Sequence, residues 1–177
     1  MNNYFKDCYT AEDLKAAYKR LAKALHPDNN NGERAAFQEM KANFEELWER
    51  LKDVHKSKEG GTYTATGDKA TKETAADFMD IIDALFQFSG LTVELCGRWL
   101  WISGDTKPVK DDLKRLGCKW CSKKGLWSWH FPEDGTGKHK AWDMAKIRGF
   151  YGSEMIGKSE AGSKEEKKPS ARPALEN

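Results

Sequence analysis

Residues 14–30 read "LKAAYKRLAKALHPDNN" and decide the fold of the N-terminal part of the chain. From a predicted N-cap at Thr10, apolar side chains recur at helical spacing as far as Leu25, and basic side chains occupy the opposite arc. Pro27 cannot continue a helix, and it biases the residue before it away from helical geometry. The stretch therefore predicts an amphipathic helix with a basic face that ends at a His-Pro-Asp loop.

A second amphipathic helix follows the turn-rich loop "DNNNGE". Its apolar side chains share about a third of the helical wheel and are Phe37, Met40, Phe44, Leu47, Trp48 and Leu51. Two such helices joined by a short loop are expected to pair antiparallel through their apolar faces. Because Asp after Pro is common in turns, the tripeptide alone indicates no more than a turn. Its position between two paired helices, the first with a basic outer face, favours a functional site.

The quoted stretch resembles the J-domain of the DnaJ co-chaperone family. "AAYKRLAKALHPDNN" is similar to the second helix and loop of that domain, and "FQEMKANFEEL" is similar to its third helix, so the resemblance covers about residues 4–52. "YFKDCYTAEDLKAAYKRLA" is most similar to the short J-domains of phage and mobile-element proteins. The resemblance implies a protein that docks on a DnaK-type chaperone and stimulates its ATP hydrolysis. The docking residues that it implies are Tyr18, Lys19, Arg20, Lys23, His26, Pro27, Asp28 and Phe37.

The chemistry of these side chains suits docking rather than catalysis by the chain itself. Asp28 is a short carboxylate on a loop stiffened by Pro27, so it can meet an arginine of a partner with little loss of entropy. The basic face steers an acidic partner. The sequence contains no paired nucleophile and base, no phosphate-binding glycine loop and no complete set of metal ligands. We therefore predict neither an enzyme nor a cofactor.

Charge and aromatic content divide the chain into parts. Residues 58–90 carry three basic and six acidic side chains, whereas residues 91–152 carry twelve basic and seven acidic ones, with six of the seven tryptophans. "AADFMDIIDALFQFSG" predicts an amphipathic helix, and the apolar period then changes to that of strands in the order ββαββα. The predicted fold class is α+β. Its predicted parts are an all-α J-domain hairpin over 1–56, a flexible linker over 57–74, a small tryptophan-rich basic α+β domain over 75–152 and a disordered tail over 153–177.

The tryptophan-rich domain leaves two interpretations open. Its tryptophans can form the core of a small sheet, or a partly exposed row can stack on single-stranded or structured nucleic acid within a ring of basic side chains. "SGDTKPVKDDLKRLGCKWCSKKGLWSW" also resembles a small module of phage and plasmid proteins, and a client protein is a further possible partner. The candidate nucleic-acid-binding residues are Trp99, Trp101, Lys107, Lys110, Lys114, Arg115, Lys119, Trp120, Lys123, Lys124, Trp127 and Trp129.

"CKWC" invites a zinc interpretation, since Cys118 and Cys121 have the required gap and His130 or His139 could complete a site. A second Cys-x-x-Cys is absent, and two thiols three residues apart on an extended strand point to opposite faces, so we predict no metal site. No apolar run approaches the length of a membrane helix, and the N-terminus has no apolar export segment. The expectation is a cytoplasmic protein with reduced thiols and no membrane partner.

Overall fold

The computed structural model describes residues 4–26, 34–57, 59–133 and 142–156. The α+β class predicted from the sequence is confirmed, since helices come first and a small antiparallel sheet follows. The helices are α1 (Ala11–Leu25), α2 (Arg34–Leu51), α3 (Ala75–Phe86), α4 (Lys110–Arg115) and α5 (Met144–Tyr151), with a 3-10 turn at Gly67–Lys69. The strands are β1 (Val54–Lys56), β2 (Thr62–Thr64), β3 (Leu91–Cys96), β4 (Trp99–Gly104), β5 (Lys119–Cys121), β6 (Leu126–Trp129) and β7 (Glu154–Ile156). None of the helices within the described ranges is long and apolar enough to cross a lipid bilayer.

The first two helices form the hairpin that the periodicity predicts. The hydroxyl of Thr10 caps α1 by accepting a hydrogen bond from the backbone N–H of Asp13. Tyr18 of α1 and Phe44 of α2 are fully buried, with ring centroids 4.6 Å apart. Aromatic packing between the two apolar faces therefore holds the hairpin together.

Helix α3 joins the hairpin to the sheet. It begins with a capping box in which Thr74 and Asp77 satisfy each other's backbone N–H groups. Its Phe78 ring stacks on Phe44 at 5.8 Å and lies nearly parallel to the ring of Trp48 at 6.4 Å. The buried side chains of α3 belong to the same apolar cluster as those of the hairpin and of strands β3, β4 and β6, so one continuous core joins the hairpin, α3 and the large sheet.

The large sheet has the strand order β5-β6-β4-β3-β7, and every neighbouring pair is antiparallel. Strands β3 and β4 turn at Gly97, which has a φ of 58°, where a side chain would be strained. Strand β7 lies within the tail that we expected to be disordered from residue 153 onwards, and this expectation is corrected for 154–156. The strand forms because its backbone pairs with the outer edge of β3, which would otherwise leave N–H and C=O groups unpaired.

The segment expected to be a flexible linker also differs from the prediction. Strands β1 and β2 form a hairpin in which Val54 pairs with Thr64, and Ala65 and Glu73 are buried. The side chain of Asp53 accepts a hydrogen bond from the backbone N–H of Thr71 at 2.7 Å. Glycine and threonine are typical of linkers, but the same residues suit a tight turn between two short strands, which is the form taken here.

Two predicted features fall partly outside the described residues. The last helix of the predicted ββαββα order is α5, which begins at Met144 with Asp143 as its N-cap, and the preceding residues 134–141 are not described. The remainder of the expected tail, 157–177, also lies outside the described ranges.

Candidate functional site

The end of α1 and the start of α2 meet at the loop that carries the His-Pro-Asp motif. His26 is the C-cap of α1, and its ring contacts that of Phe37 edge-on, with centroids 5.7 Å apart. Both side chains are half-buried. The structure thus brings together His26 and Phe37, two of the docking residues that the resemblance implies, whereas Pro27 and Asp28 lie outside the described residues.

The basic face expected on α1 divides into an exposed and a buried part. Arg20 and Lys23 are exposed near the end of the helix, on the side of the His-Pro-Asp loop. Tyr18 and Lys19 are fully buried, although the sequence placed Lys19 on a solvent arc. The structure therefore brings Arg20, Lys23 and His26 to one accessible end, and it encloses the other two docking residues of α1.

The hydroxyl of Tyr18 faces α3. It donates a hydrogen bond of 3.3 Å to the carboxylate of Asp83, whose other oxygen accepts one of 3.0 Å from Lys41 of α2. Burial and the neighbouring charge of Asp83 raise the pKa of Tyr18, so the phenol stays protonated and acts as a donor. One carboxylate of α3 thus binds both helices of the hairpin.

Lys15, one turn before Lys19, makes a second contact between α1 and a distant part of the chain. Its ammonium lies 2.5 Å from the carboxylate of Glu73, and both side chains are at least 96% buried. The same ammonium lies over the rings of Phe78 at 4.7 Å and Trp48 at 5.2 Å. The indole N–H of Trp48 donates to the backbone carbonyl of Glu73. Sequence reasoning missed this buried ion pair, because nothing in the sequence separates Lys15 from the exposed lysines of the same helix.

Two further ion pairs join the start of α1 to strand β1 of the β1–β2 hairpin. The ring of His55 lies 2.7 Å from the carboxylate of Glu12, and Lys56 pairs with Asp13 at 2.5 Å. Burial opposes ionisation of Glu12, but the hydrogen bond from His55 prevails and lowers the pKa of this carboxyl. His55 is 4% exposed, so this contact between β1 and α1 is buried.

In the large sheet, Trp99 and Trp101 of β4 lie on one face, and Trp127 and Trp129 of β6 lie on the other. Directly paired residues of neighbouring strands share a face, and Trp101 pairs with Ser128, which lies between Trp127 and Trp129. Trp127 and Trp129 belong to the core, with Leu113 of α4. Trp101 is 7% exposed on the other face, which shows that the core interpretation holds for these three residues.

Trp99 and Trp120 differ from that buried set. Trp99 is half-buried, 5.8 Å from Trp101 and 4.3 Å from the ring of His130. Trp120 lies on the edge strand β5 with 52% of its surface exposed, and its ring meets Trp127 edge-on at 5.6 Å. Of the expected stacking row, Trp120 is therefore the indole placed to meet a ligand.

The basic side chains around this sheet are mostly exposed, but two of them form ion pairs with acidic neighbours. Lys114 pairs with Asp111 and Arg115 pairs with Asp112 along α4. Lys124 is half-buried with its ammonium 5.5 Å above the ring of Trp101. The remaining expected residues, all exposed, are Lys107, Lys110, Lys119 and Lys123.

The cysteines of "CKWC" do not form a site in the described part of the chain. Cys118 is buried, and burial raises the pKa of its thiol to about 12, whereas Cys121 is half-buried on β5. Within the described ranges no group of three or more His, Cys, Asp or Glu side chains is arranged to hold a metal ion. His139, one of the two histidines considered for such a site, lies outside those ranges.

The sheet also holds a polar cluster that the sequence did not predict. The carboxylate of Glu94 accepts two hydrogen bonds from the guanidinium of Arg148 in α5, at 2.6 and 2.8 Å, and one from Ser153. The hydrogen bonds from Arg148 hold the pKa of this carboxyl below its ordinary value. The cluster anchors α5 and the start of β7 against β3.

Comparison with known proteins agrees with the resemblance at the N-terminus. Residues 6–59 match the DnaJ domain family. Over 47 residues the chain is 47% identical to a protein named "Chaperone protein DnaJ" from Rhodospirillum centenum. That segment is 27% of this chain and only 12% of the relative, and no solved structure matches the chain. The N-terminal helical hairpin lies within the segment that matches the DnaJ domain, and residues 60–177 lie outside that match.

Proposed function

We propose that this protein is a J-domain co-chaperone that docks on a DnaK-type chaperone and stimulates its ATP hydrolysis. The observation that carries the proposal is the match of residues 6–59 to the DnaJ domain, together with the His-Pro-Asp motif at the junction of α1 and α2. In this proposal His26, Pro27 and Asp28 act on the chaperone, and Phe37 supports the loop through its contact with His26. ATP hydrolysis belongs to the partner, so the chain needs no cofactor and is not itself an enzyme.

The accessible end of α1 suits an acidic partner. Arg20 and Lys23 are exposed beside the loop, where they can attract carboxylates on the chaperone before close contact forms. Such steering raises the association rate more than the affinity and is screened by salt. We place this activity in the cytoplasm of the cell, and we assign the J-domain to the short type found in phage and mobile-element proteins.

The test is single-turnover ATP hydrolysis by a DnaK-type chaperone with and without the full chain. The wild-type protein should accelerate hydrolysis, and His26→Gln or Asp28→Asn should abolish the acceleration without unfolding the protein, because His26 follows the last residue of α1 and the sequence predicts a loop at Asp28. His130→Gln is the matched control, since it makes the same change at a half-buried histidine outside the J-domain. Equal acceleration by wild type, His26→Gln and Asp28→Asn would refute the proposal.

A second candidate function concerns the C-terminal sheet and is favoured by the exposure of Trp120. This indole lies between exposed Lys119 and the Lys123 turn, an arrangement that suits stacking on a base of single-stranded nucleic acid. The alternative protein is then an accessory factor of a phage or mobile element that binds nucleic acid and recruits the chaperone through its J-domain. A client protein bound at the same edge would make the sheet a targeting module instead.

Titration of the full chain with single-stranded DNA or RNA at low salt separates these possibilities. Stacking on Trp120 predicts that Trp120→Ala weakens binding by about 1–3 kcal/mol, whereas Trp120→Phe retains most of it. Exposed phosphate contacts also predict strong salt dependence. If the wild-type protein does not bind at low salt, the nucleic-acid function is refuted and the sheet remains a candidate client-binding module.

A further inference from the structure

A groove of about 370 Å³ opens where α3, the end of α4 and the end of β6 meet. Its floor and walls are apolar, and two carboxylates of α3 lie along one side. We propose that this groove binds an extended segment of a partner protein in which a lysine or arginine lies next to a large apolar side chain. The proposal goes beyond the proposed function, because every described residue that lines the groove lies outside the segment that matches the DnaJ domain.

The apolar part of the groove is built from side chains that the core holds in place. Ile81 of α3 and Trp129, the last residue of β6, are buried in the core that joins α3 to the large sheet. Leu116, the C-cap of α4, and Phe131 are half-buried and pack against the same core. Because the groove is already formed, a ligand binds there without the entropic cost of ordering its walls.

The charge beside the groove selects a cationic ligand. Asp80 is exposed, and Asp77 is half-buried with one carboxylate oxygen bound to Thr74. Of the three acids of α3, Asp83 pairs with Lys41, whereas Asp77 and Asp80 pair with no basic side chain among the described residues. A lysine or arginine that enters from a partner therefore meets carboxylates that are not already neutralised by an ion pair.

The same charges make the groove unsuitable for nucleic acid. The carboxylates of Asp77 and Asp80 repel phosphates, and Glu133 adds an exposed acid just beyond the lining residue Pro132. Arg115, which precedes Leu116 in the chain, is already paired with Asp112 at 2.9 Å. The groove thus differs in its chemistry from the basic β5 edge around Trp120, and it requires a different ligand.

The size of the groove fits the side chains of an extended chain. Its volume lies near the lower end of the range of about 300–1,000 Å³ that is typical of ligand pockets, so it admits side chains but not a folded domain. An apolar side chain of the bound segment covers Trp129 and Leu116, and a neighbouring lysine or arginine reaches Asp80. The aliphatic stem of such a basic residue also covers apolar surface while its charged end stays in water beside the carboxylates.

The test is a titration of the full chain with short fluorescein-labelled peptides at low salt. In the first peptide leucine alternates with arginine, in the second glutamate replaces arginine, and in the third serine replaces leucine. The wild-type protein should bind the first peptide roughly tenfold more tightly than either of the others, since each replacement removes one of the two matched features. No binding of the first peptide, or equal binding of the first and either of the others, would overturn the proposal.

Asp80→Lys is the direct variant, because it reverses an exposed charge beside the groove. It should weaken binding of the leucine–arginine peptide by roughly tenfold, since an attraction becomes a repulsion. Asp68→Lys, the matched control, makes the same charge change at an exposed position of the 3-10 turn and should leave binding unchanged. Phe131→Ala removes an apolar wall and should weaken binding without a change of charge, and circular dichroism checks that each variant folds. Equal affinity of wild type, Asp80→Lys and Phe131→Ala would contradict the assigned groove.

Amide chemical shifts of the full chain locate the bound peptide. The leucine–arginine peptide should shift the signals of Ile81 and Leu116 and leave that of Trp120 in place. Shifts centred on Trp120 would overturn the proposal. A wild-type dimer in analytical ultracentrifugation that binds no peptide and that Asp80→Lys dissociates would assign the groove to a second copy of the chain, which also overturns it.

The proposal and the proposed function fail separately. Without peptide, Asp80→Lys should stimulate ATP hydrolysis by a DnaK-type chaperone as the wild type does, and His26→Gln should bind the leucine–arginine peptide as the wild type does. Absence of stimulation by the wild type, with peptide binding intact, would refute the proposed function alone. Normal stimulation by a wild-type protein that binds no peptide would refute the groove alone.

Discussion

Replacing Phe78 with alanine removes the ring through which α3 contacts both helices of the J-domain. The ring is fully buried, stacks on Phe44 and Trp48, and meets Tyr18 edge-on at 6.0 Å. Truncation of a buried phenylalanine costs about 3–5 kcal/mol, because transfer free energy and packing contacts are lost together. At about 2–4 °C per kcal/mol for a chain of this size, the melting temperature should fall by roughly 6–20 °C.

The assay follows thermal unfolding of the full chain with two probes. Far-ultraviolet circular dichroism reports mainly on the helices, and tryptophan fluorescence reports mainly on the sheet, which is preceded by only one of the seven tryptophans. Because one core spans hairpin and sheet, both probes should shift together in Phe78→Ala. Tyr9→Ala, at a residue 68% exposed, is the control and should change stability by less than about 0.5 kcal/mol. A fluorescence transition that moves while the helical transition stays in place would refute the shared core.

Two further predictions concern the sheet. Trp127→Ala should lower the free energy of unfolding by about 3–5 kcal/mol, whereas Trp120→Ala should lower it by less than about 1 kcal/mol. Denaturant titration measures both values, and a larger loss for Trp120→Ala than for Trp127→Ala would contradict the assigned faces. Glu94→Gln should destabilise the protein by about 1.5–3 kcal/mol at pH 7. Since Arg148 lowers the pKa of Glu94, that stabilisation is present above the ordinary value of 4.5 and is lost as the pH falls through the lowered pKa, so wild type and variant should converge in acid. A constant difference from pH 7 to pH 2 would contradict this linkage.

The local elements of the fold could be predicted because each has a clear period or boundary. Thr10 and Pro27 mark the predicted start and end of α1, and the apolar side chains of α2 fall on one face. After residue 91 an apolar period of two predicts strands β3 and β4. The β1–β2 hairpin and β7 were missed for a physical reason. Strands β1, β2 and β7 are each three residues long, and backbone pairing to a partner strand, rather than an apolar pattern of their own, holds them in place.

The candidate site was predictable only where it depends on local sequence. The contact of His26 with Phe37 follows from the loop that joins two adjacent helices. Burial of Lys15 and Lys19 does not, since a lysine on an amphipathic helix is ordinarily a solvated residue and only packing against distant parts of the chain makes it buried. The faces taken by the tryptophans likewise depend on strand register, which pairs Trp101 with Ser128 and cannot be read from either strand alone.

The central claim is that the His-Pro-Asp motif makes this protein an activator of a DnaK-type chaperone. Single-turnover ATP hydrolysis by the chaperone should be measured over a range of concentrations of the wild-type protein, of His26→Gln and of the control His130→Gln. The account predicts acceleration by the wild type and by His130→Gln, and the chaperone's unstimulated rate with His26→Gln. Acceleration by His26→Gln equal to that of the wild type would contradict it.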